Sequence, residues 1–349
     1  MTQNDRARVR ALGLEPGYFE PGPMNAITDV AGVRVGHVTC REGERTRTGA
    51  TVIVPHGGNL FQDKVPAGLS VFNGFGKFAG ATQIAELGEI ETPIILTNTL
   101  AVGRGIEAII RHTLAQPGNE RVVSLNAVVG ETNDSRLNDI RAAWPSVDEC
   151  LSAIDAAQEG PVEEGAVGAG TGTVAFGFKG GIGTSSRIVS IGGATYTLGV
   201  LVQSNYGGQL MIAGHAYDAM AEHDKDGSII IILATNAPLC PRNLERLAQR
   251  AFGGLARTGA ALSNGSGDYA LAFSTAETVR RTPDRRNDLS HIPALPNELV
   301  SPLFEAAIEA TEEAILNSLS MATTTQGFNA SIGEPSTVEA LPLQAIRRR

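Results

Sequence analysis

Residues 228–235, SIIIILAT, place six consecutive apolar side chains between a serine and a threonine. Side chains along a strand alternate between its two faces, so an unbroken apolar run fits only where both faces are covered. The run therefore calls for a central strand in a layered protein, with a packing partner on each side of its sheet. The charged stretch HDKDG (residues 223–227) comes just before it, and Asp226-Gly227 reads as the turn into the strand. Ser228 stands at this junction. It is either the first residue of a buried strand or a hydroxyl placed there to react.

The rest of the chain supplies the other layers. In NAITDVAGVRVGHVTC, Val33 and Val35 share one side of a short strand, and GATVIVP, AGLSVFNGFG and YALAFSTA read as further strands. RVVSLNAVVGE is a strongly apolar strand candidate, while SRIVSI and TYTLGVLVQSN form a hairpin about Gly192-Gly193. Helical spacing marks 81–89 and 104–114, the latter with Ile106, Ile109, Ile110 and Leu114 on one side. PRNLERLAQRAFGGLARTG sets Leu244, Leu247, Ala248, Ala251 and Leu255 on one helical face, with Pro241 before it and Gly259 after it. LVSPLFEAAIEATEEAILNSLS is the best helix, and the closing 321–349 is weakly patterned. Hairpin-like segments outnumber clear βαβ crossovers and no internal repeat occurs. The expected architecture is one domain, 1–349, built as a layered α/β sandwich with much antiparallel sheet.

Composition narrows the functional classes. A chain that is 42% hydrophobic and 19% charged is an ordinary soluble globular protein. Net charge is −9 and the only long basic run is the terminal Arg347-Arg348-Arg349, which argues against a nucleic-acid-coating surface. No window has the apolar length of a membrane span, and the N-terminus has no apolar signal region, so a cytoplasmic protein is expected. Three dispersed cysteines, Cys40, Cys150 and Cys240, form neither a disulfide framework nor a CxxC pair.

Several motifs fail on inspection. In the Gly-dense segment 165–205, Lys179 is followed by Gly180 where a phosphate loop needs Ser or Thr. Gly168 and Gly170 are followed by Thr173 where a dinucleotide fingerprint has its third glycine. The looser match at Gly170, Gly172 and Ala175 has no strand before it and no helix after it. Neither GIGTSSR nor NGSGD is a nucleophile elbow. The six histidines make no HExxH pattern, and His37 and His56 read as structural residues beside strand ends.

Ser228 remains. A serine hydroxyl is a weak nucleophile, and one solution is to use the residue's own α-amine as the base, with an ordinary pKa of about 7.7–8. An internal serine has no free amine, so the preceding bond must first be cut. Glycine at that position tolerates strained geometry and leaves its carbonyl open to attack. From local residues alone, a turn leading into a strand explains the same stretch.

Seven segments taken in order resemble one family. They are NAITDVAGVRVGHVT, GETNDSRLNDI (130–140), GTGTVAFGFKGGIGTSSR (170–187), VQSN (202–205), DGSIIIILATNAPL (226–239), SNGSGD (263–268) and EEAILNSL (312–319). Together they are similar to the DmpA/BapA-type aminopeptidases, peptidase family P1, which includes the β-peptidyl aminopeptidases. The resemblance implies an αββα four-layer sandwich of the N-terminal-nucleophile (Ntn) hydrolase type, shared with ornithine acetyltransferases. It further implies self-cleavage at Gly227–Ser228 into chains 1–227 and 228–349, and assembly of the processed heterodimers into a homo-oligomer. No metal or organic cofactor is implied.

Carried over by position, Ser228 is the nucleophile, and Ser266 and Asp268 hold its amine or hydroxyl. Asn205 donates to the oxyanion. Glu131 is the candidate for binding the substrate's cationic N-terminus, and it reads equally well as a strand-end surface residue. Arg136 stands where the founding enzyme has a tyrosine and bears on acyl- or leaving-group preference. The implied activity is release of small N-terminal residues from peptides, amides or esters. Two alternatives stay open: an acyltransferase of the ornithine acetyltransferase type, disfavoured because those use threonine, and an unprocessed scaffold without catalysis.

Overall fold

The computed structural model describes residues 6–217 and 227–347. Asp226, the first half of the turn read from the sequence, lies outside the described residues, as does His223. Two mixed sheets stack face to face. The first runs, in spatial order, Arg34–Cys40, Thr48–Val54, Ile94–Asn98, Val128–Thr132 and Phe78–Ala79. The second runs Gly181–Ile191, Ala194–Asn205, Ser228–Thr235, Gly267–Ser274, Val65–Gly74 and Glu89–Ile90. Each sheet has one parallel pair, and the other pairings are antiparallel. Parallel neighbours need a crossover. Helix Val102–Leu114 supplies it in the first sheet and helix Pro241–Arg257 in the second.

The apolar run sits where its pattern requires. All eight residues of Ser228–Thr235 are buried. Ile229, Ile231 and Leu233 pack toward helices Pro241–Arg257 and Ser301–Ser320. Ile230, Ile232 and Ala234 pack into the layer between the sheets with Leu96, Leu201 and Leu271. Helices Val102–Leu114 and Val147–Asp155 cover the outer face of the first sheet around Val52, Ile95 and Val129. The layers are therefore helix, sheet, sheet, helix, the αββα sandwich expected. Among the described residues, no helix is long and apolar enough to cross a membrane.

The Gly192-Gly193 turn forms as read, with φ of 58° and 83°, and its strands are longer than the sequence pattern marked. Elsewhere the reading needs correction. Of RVVSLNAVVGE only the last four residues are strand, the start of Val128–Thr132, and Val123 is almost fully exposed. The buried stripe of Val102–Leu114 is Gly105, Ala108, Ile109 and Thr113, with Leu114 exposed. His37 lies within its strand, bonded through Nδ1 to Thr51 Oγ1 at 2.9 Å, and burial pushes its pKa down to about 4. The closing segment contains a hairpin, Thr325–Asn329 with Glu334–Val338.

One buried cation ties the long helix to the second sheet. Arg187 is fully buried and donates to Glu313 at 2.8 Å, to Glu309 at 3.4 Å and to the Pro16 carbonyl at 2.8 Å. Lysine keeps the charge but cannot reproduce the planar fork. Arg187→Lys is expected to cost about 1–3 kcal/mol, the worth of a charged hydrogen bond. The urea midpoint at unchanged slope reads this out, and an unmoved midpoint would refute it.

Candidate active site

Ser228 begins its strand between Asn205, which ends one neighbouring strand, and Gly267, which begins the other. Alternation puts the Ser228 side chain on the same face as Ile230 and Ile232, at the rim of the layer between the sheets. The Gly267 N–H donates to Ser228 Oγ at 3.1 Å and also to the carbonyl oxygen of Gly227 at 3.2 Å. One amide thus contacts both the serine hydroxyl and the carbonyl of the bond before it. Among the described residues, no other hydrogen bond reaches Ser228 Oγ.

Two glycines make this approach possible. A Cβ on Gly227 would lie 2.3 Å from the Asn205 carbonyl oxygen and 2.4 Å from Tyr206 Cα. A Cβ on Gly267 would lie 2.6 Å from both Cα and N of Gly76. Both are backbone collisions that no side-chain movement relieves.

Asn205 is buried, and its Oδ1 accepts from the Val174 N–H at 2.9 Å. A backbone N–H can only donate, so the bond fixes which end of the amide is oxygen and turns the NH2 group away from Val174. Asn205 can therefore act as a donor at the mouth of the site.

Ser266 and Asp268 flank Gly267. Ser266 Oγ donates to Asp268 Oδ1 at 2.6 Å, and Asn73 Nδ2 donates to Asp268 Oδ2 at 2.8 Å. Asp268 points to the opposite face from Ser228, where Ala270 and Ala272 meet the helices. Among the described residues of the intact chain, neither Ser266 nor Asp268 makes the expected hydrogen bond to Ser228. Burial pushes the Asp268 pKa up, and the Ser266 and Asn73 donors pull it back. Asn73 reaches Asp268 because pairing slips between Asp268 and Tyr269, leaving Phe72 outside the register. That bulge aims Asn73 at the carboxylate.

Glu131 is buried at the end of Val128–Thr132 rather than exposed on the surface. Its Oε1 accepts from the Lys77 N–H at 2.8 Å, and Thr99 Oγ1 donates to Oε2. Gly76 connects it to the serine: a Cβ there would lie 3.2 Å from Glu131 Oε1 and 3.2 Å from Gly267 Cα. Tyr269 closes the same corner, donating to the Gly76 carbonyl at 2.7 Å. Burial, then the Glu131 and Asp268 charges, push the Tyr269 pKa up. Arg136 sits exposed on the turn that follows the Glu131 strand.

The structure thus brings Ser228, Gly227, Asn205, Ser266, Asp268 and Glu131 to one end of the sandwich. The sequence reading missed Asn73, Thr99, Tyr269 and the Gly267 amide. Strand pairing places Asn73, Tyr269 and the Gly267 amide, and the turn after Ile94–Asn98 places Thr99; neither leaves a local mark in a sequence. Among the described residues no His/Cys/Asp/Glu group has a metal-holding arrangement. The side chains gathered here offer hydroxyl, amide and carboxylate chemistry suited to acyl transfer.

Comparison with known proteins agrees with the fold. The β-peptidyl aminopeptidase BapA of Sphingosinicella xenopeptidilytica is 41% identical, covering 92% of this chain and 87% of that protein. A solved structure from Pyrococcus horikoshii OT3 superposes with TM-score 0.91 at 46% identity, covering 98% of both chains. The L-aminopeptidase D-Ala-esterase/amidase of Ochrobactrum anthropi, described as a prototype serine aminopeptidase and a variant of the Ntn hydrolase fold, superposes with TM-score 0.89 at 36% identity. It covers 98% of this chain and 97% of its own. The sequence pattern of peptidase family S58 matches residues 25–332. This chain belongs to peptidase family S58, the DmpA/BapA family of aminopeptidases, and has their Ntn-hydrolase fold.

Proposed function

We propose that Ser228 first cuts its own chain and then serves as the nucleophile of an aminopeptidase for small N-terminal residues. The observation that carries this reading is the shared Gly267 N–H, 3.2 Å from the Gly227 oxygen and 3.1 Å from Ser228 Oγ. Ser228 Oγ attacks the Gly227 carbonyl carbon, and the Gly267 N–H stabilises the developing oxyanion. The Gly227–Ser228 C–N bond breaks as the Oγ proton passes to the serine nitrogen, leaving an ester. Water hydrolyses the ester, giving a Gly227 carboxylate and a free Ser228 α-amine at the head of a rigid central strand.

In the processed enzyme that amine takes the Oγ proton as Ser228 attacks the substrate carbonyl, and passes it to the leaving amine. The Asn205 NH2 donates to the tetrahedral oxyanion. Water then releases the acyl group. Ser266 and Asp268, on either side of Gly267, receive the new ammonium and set its protonation. Glu131 holds the substrate's own N-terminal ammonium, and Arg136 at the exposed edge bears on acyl- or leaving-group preference. Small aminoacyl peptides, amides and esters are the substrate class, with a cytoplasmic homo-oligomer of processed heterodimers as the working form. The substrate class is supported by the family and by its β-peptidyl aminopeptidase member.

A panel of α- and β-aminoacyl p-nitroanilides, with Ser228→Ala as control, tests the reading. Ser228-dependent release of nitroaniline is expected. Transfer of the acyl group to an amino acid acceptor without hydrolysis would replace it with the acyltransferase alternative. Glu131→Gln is expected to lower kcat/KM about 10- to 100-fold through KM, the worth of about 1.5–3 kcal/mol for a charge-assisted hydrogen bond. An unchanged KM would remove Glu131 from amine recognition.

A further inference from the structure

The Gly-dense segment 170–181 has one charged residue, Lys179, and it is completely buried. Its Nζ donates to the carbonyls of Gly170 at 2.7 Å, Thr173 at 2.8 Å and Gly180 at 2.8 Å. Three acceptors match the three N–H donors of an ammonium, whereas a neutral amine has two. Burial, then the Arg41 charge, push the Lys179 pKa well below its ordinary value while Asp134 pushes it up, and the three carbonyls offer one acceptor to each N–H of the ammonium. No carboxylate hydrogen-bonds it among the described residues. A buried cation held by neutral groups alone is costly, and an apolar side chain would fill the same space. Retaining it calls for a reason.

The geometry of one peptide unit supplies that reason. The Thr173 carbonyl that receives Lys179 Nζ and the Val174 N–H that donates to Asn205 Oδ1 belong to the same planar group. Fixing the oxygen fixes the direction of the N–H. Gly180 N–H adds a second donor to the same oxygen at 3.1 Å. A cation on a carbonyl oxygen also polarises the amide, making its N–H a stronger donor, and the effect passes along a hydrogen-bonded chain. The chain here runs from Lys179 through the Thr173–Val174 peptide to the Asn205 side chain and so to the NH2 that faces the oxyanion. We propose that Lys179 is a positioning residue, holding and polarising the oxyanion donor Asn205 through this single peptide plane. The inference rests on the role given to Asn205 above.

The test is a double-mutant cycle of Lys179→Met with Asn205→Ala, followed by aminoacyl p-nitroanilide turnover per cleaved chain. Lys179→Met in the wild-type background is expected to lower kcat about 10- to 100-fold, less than the 10²- to 10³-fold for loss of the oxyanion donor itself, with KM changed less than about threefold. In the Asn205→Ala background the same change is expected to cost less than about threefold, because its target is gone. Lys179→Gln keeps two donors and is expected to fall between. Equal losses in both backgrounds would overturn the proposal, as would a folded Lys179→Met enzyme with wild-type kcat. If neither Lys179 variant gives folded protein by circular dichroism, the residue serves folding and the proposal is likewise overturned. An Asn205→Ala enzyme with undiminished kcat would instead remove the reading of Asn205 itself, and the inference with it.

Discussion

Ser228→Ala is expected to abolish turnover of aminoacyl anilides, by at least about 10⁴-fold, and to leave the chain uncut. Both losses have one cause. The hydroxyl attacks the Gly227 carbonyl in processing and the substrate carbonyl in turnover. Removing a nucleophile that acts as a unit with its base removes the contribution of both. Alanine fits the site without strain, because among the described residues Ser228 Oγ has a single hydrogen bond, from the Gly267 N–H. The variant should therefore fold as well as the wild type. A Ser228→Ala protein that retains activity would show that another group attacks. A Ser228→Cys variant is the complementary control, because a thiol keeps nucleophilic capacity and should allow at least partial cleavage.

The second large effect is expected at Asn205. Its Oδ1 is held by the Val174 N–H at 2.9 Å, so its NH2 is presented without reorganisation when the oxyanion forms. Such preorganised donors contribute about 2.7–4 kcal/mol, and Asn205→Ala is expected to lower kcat about 10²- to 10³-fold with KM nearly unchanged. Asn205→Asp is a sharper probe. It preserves shape but replaces the donor with a negative charge and turns the Val174 contact into a charged one. Its kcat should fall at least as far as that of the alanine variant. A fall in kcat/KM carried mainly by KM would place Asn205 in ground-state binding instead.

Parts of this site were open to reading in the sequence because they are local. The Ile run required burial on both faces, and Ser228 stands at the head of that strand. Gly192-Gly193 marked its hairpin because two consecutive positive φ values favour glycine. Other parts depend on register or packing. Asn73 meets Asp268 only through a bulge at Phe72, and nothing in AGLSVFNGFG marks the extra residue. Val102–Leu114 buries Gly105 and Ala108 rather than a full isoleucine stripe, because small residues let that helix approach the first sheet closely. The Thr325–Asn329 hairpin has mixed polar strands with no apolar alternation to reveal it. Glu131 followed an apolar strand as a carboxylate of either role, and burial on Lys77 and Thr99 is a tertiary property. Lys179 had a legible signal, one cation within a run of glycines and apolar residues. Its three carbonyl partners became visible only in the folded loop.

The central claim is that the Gly227–Ser228 bond is the chain's own first substrate. Denaturing mass spectrometry of the freshly purified wild-type protein tests it most directly. Two species are expected, one ending at Gly227 and one running from Ser228 to Arg349, the second giving Ser-Ile-Ile-Ile on N-terminal sequencing. A single intact 36.5 kDa chain that still hydrolyses aminoacyl anilides would contradict the claim.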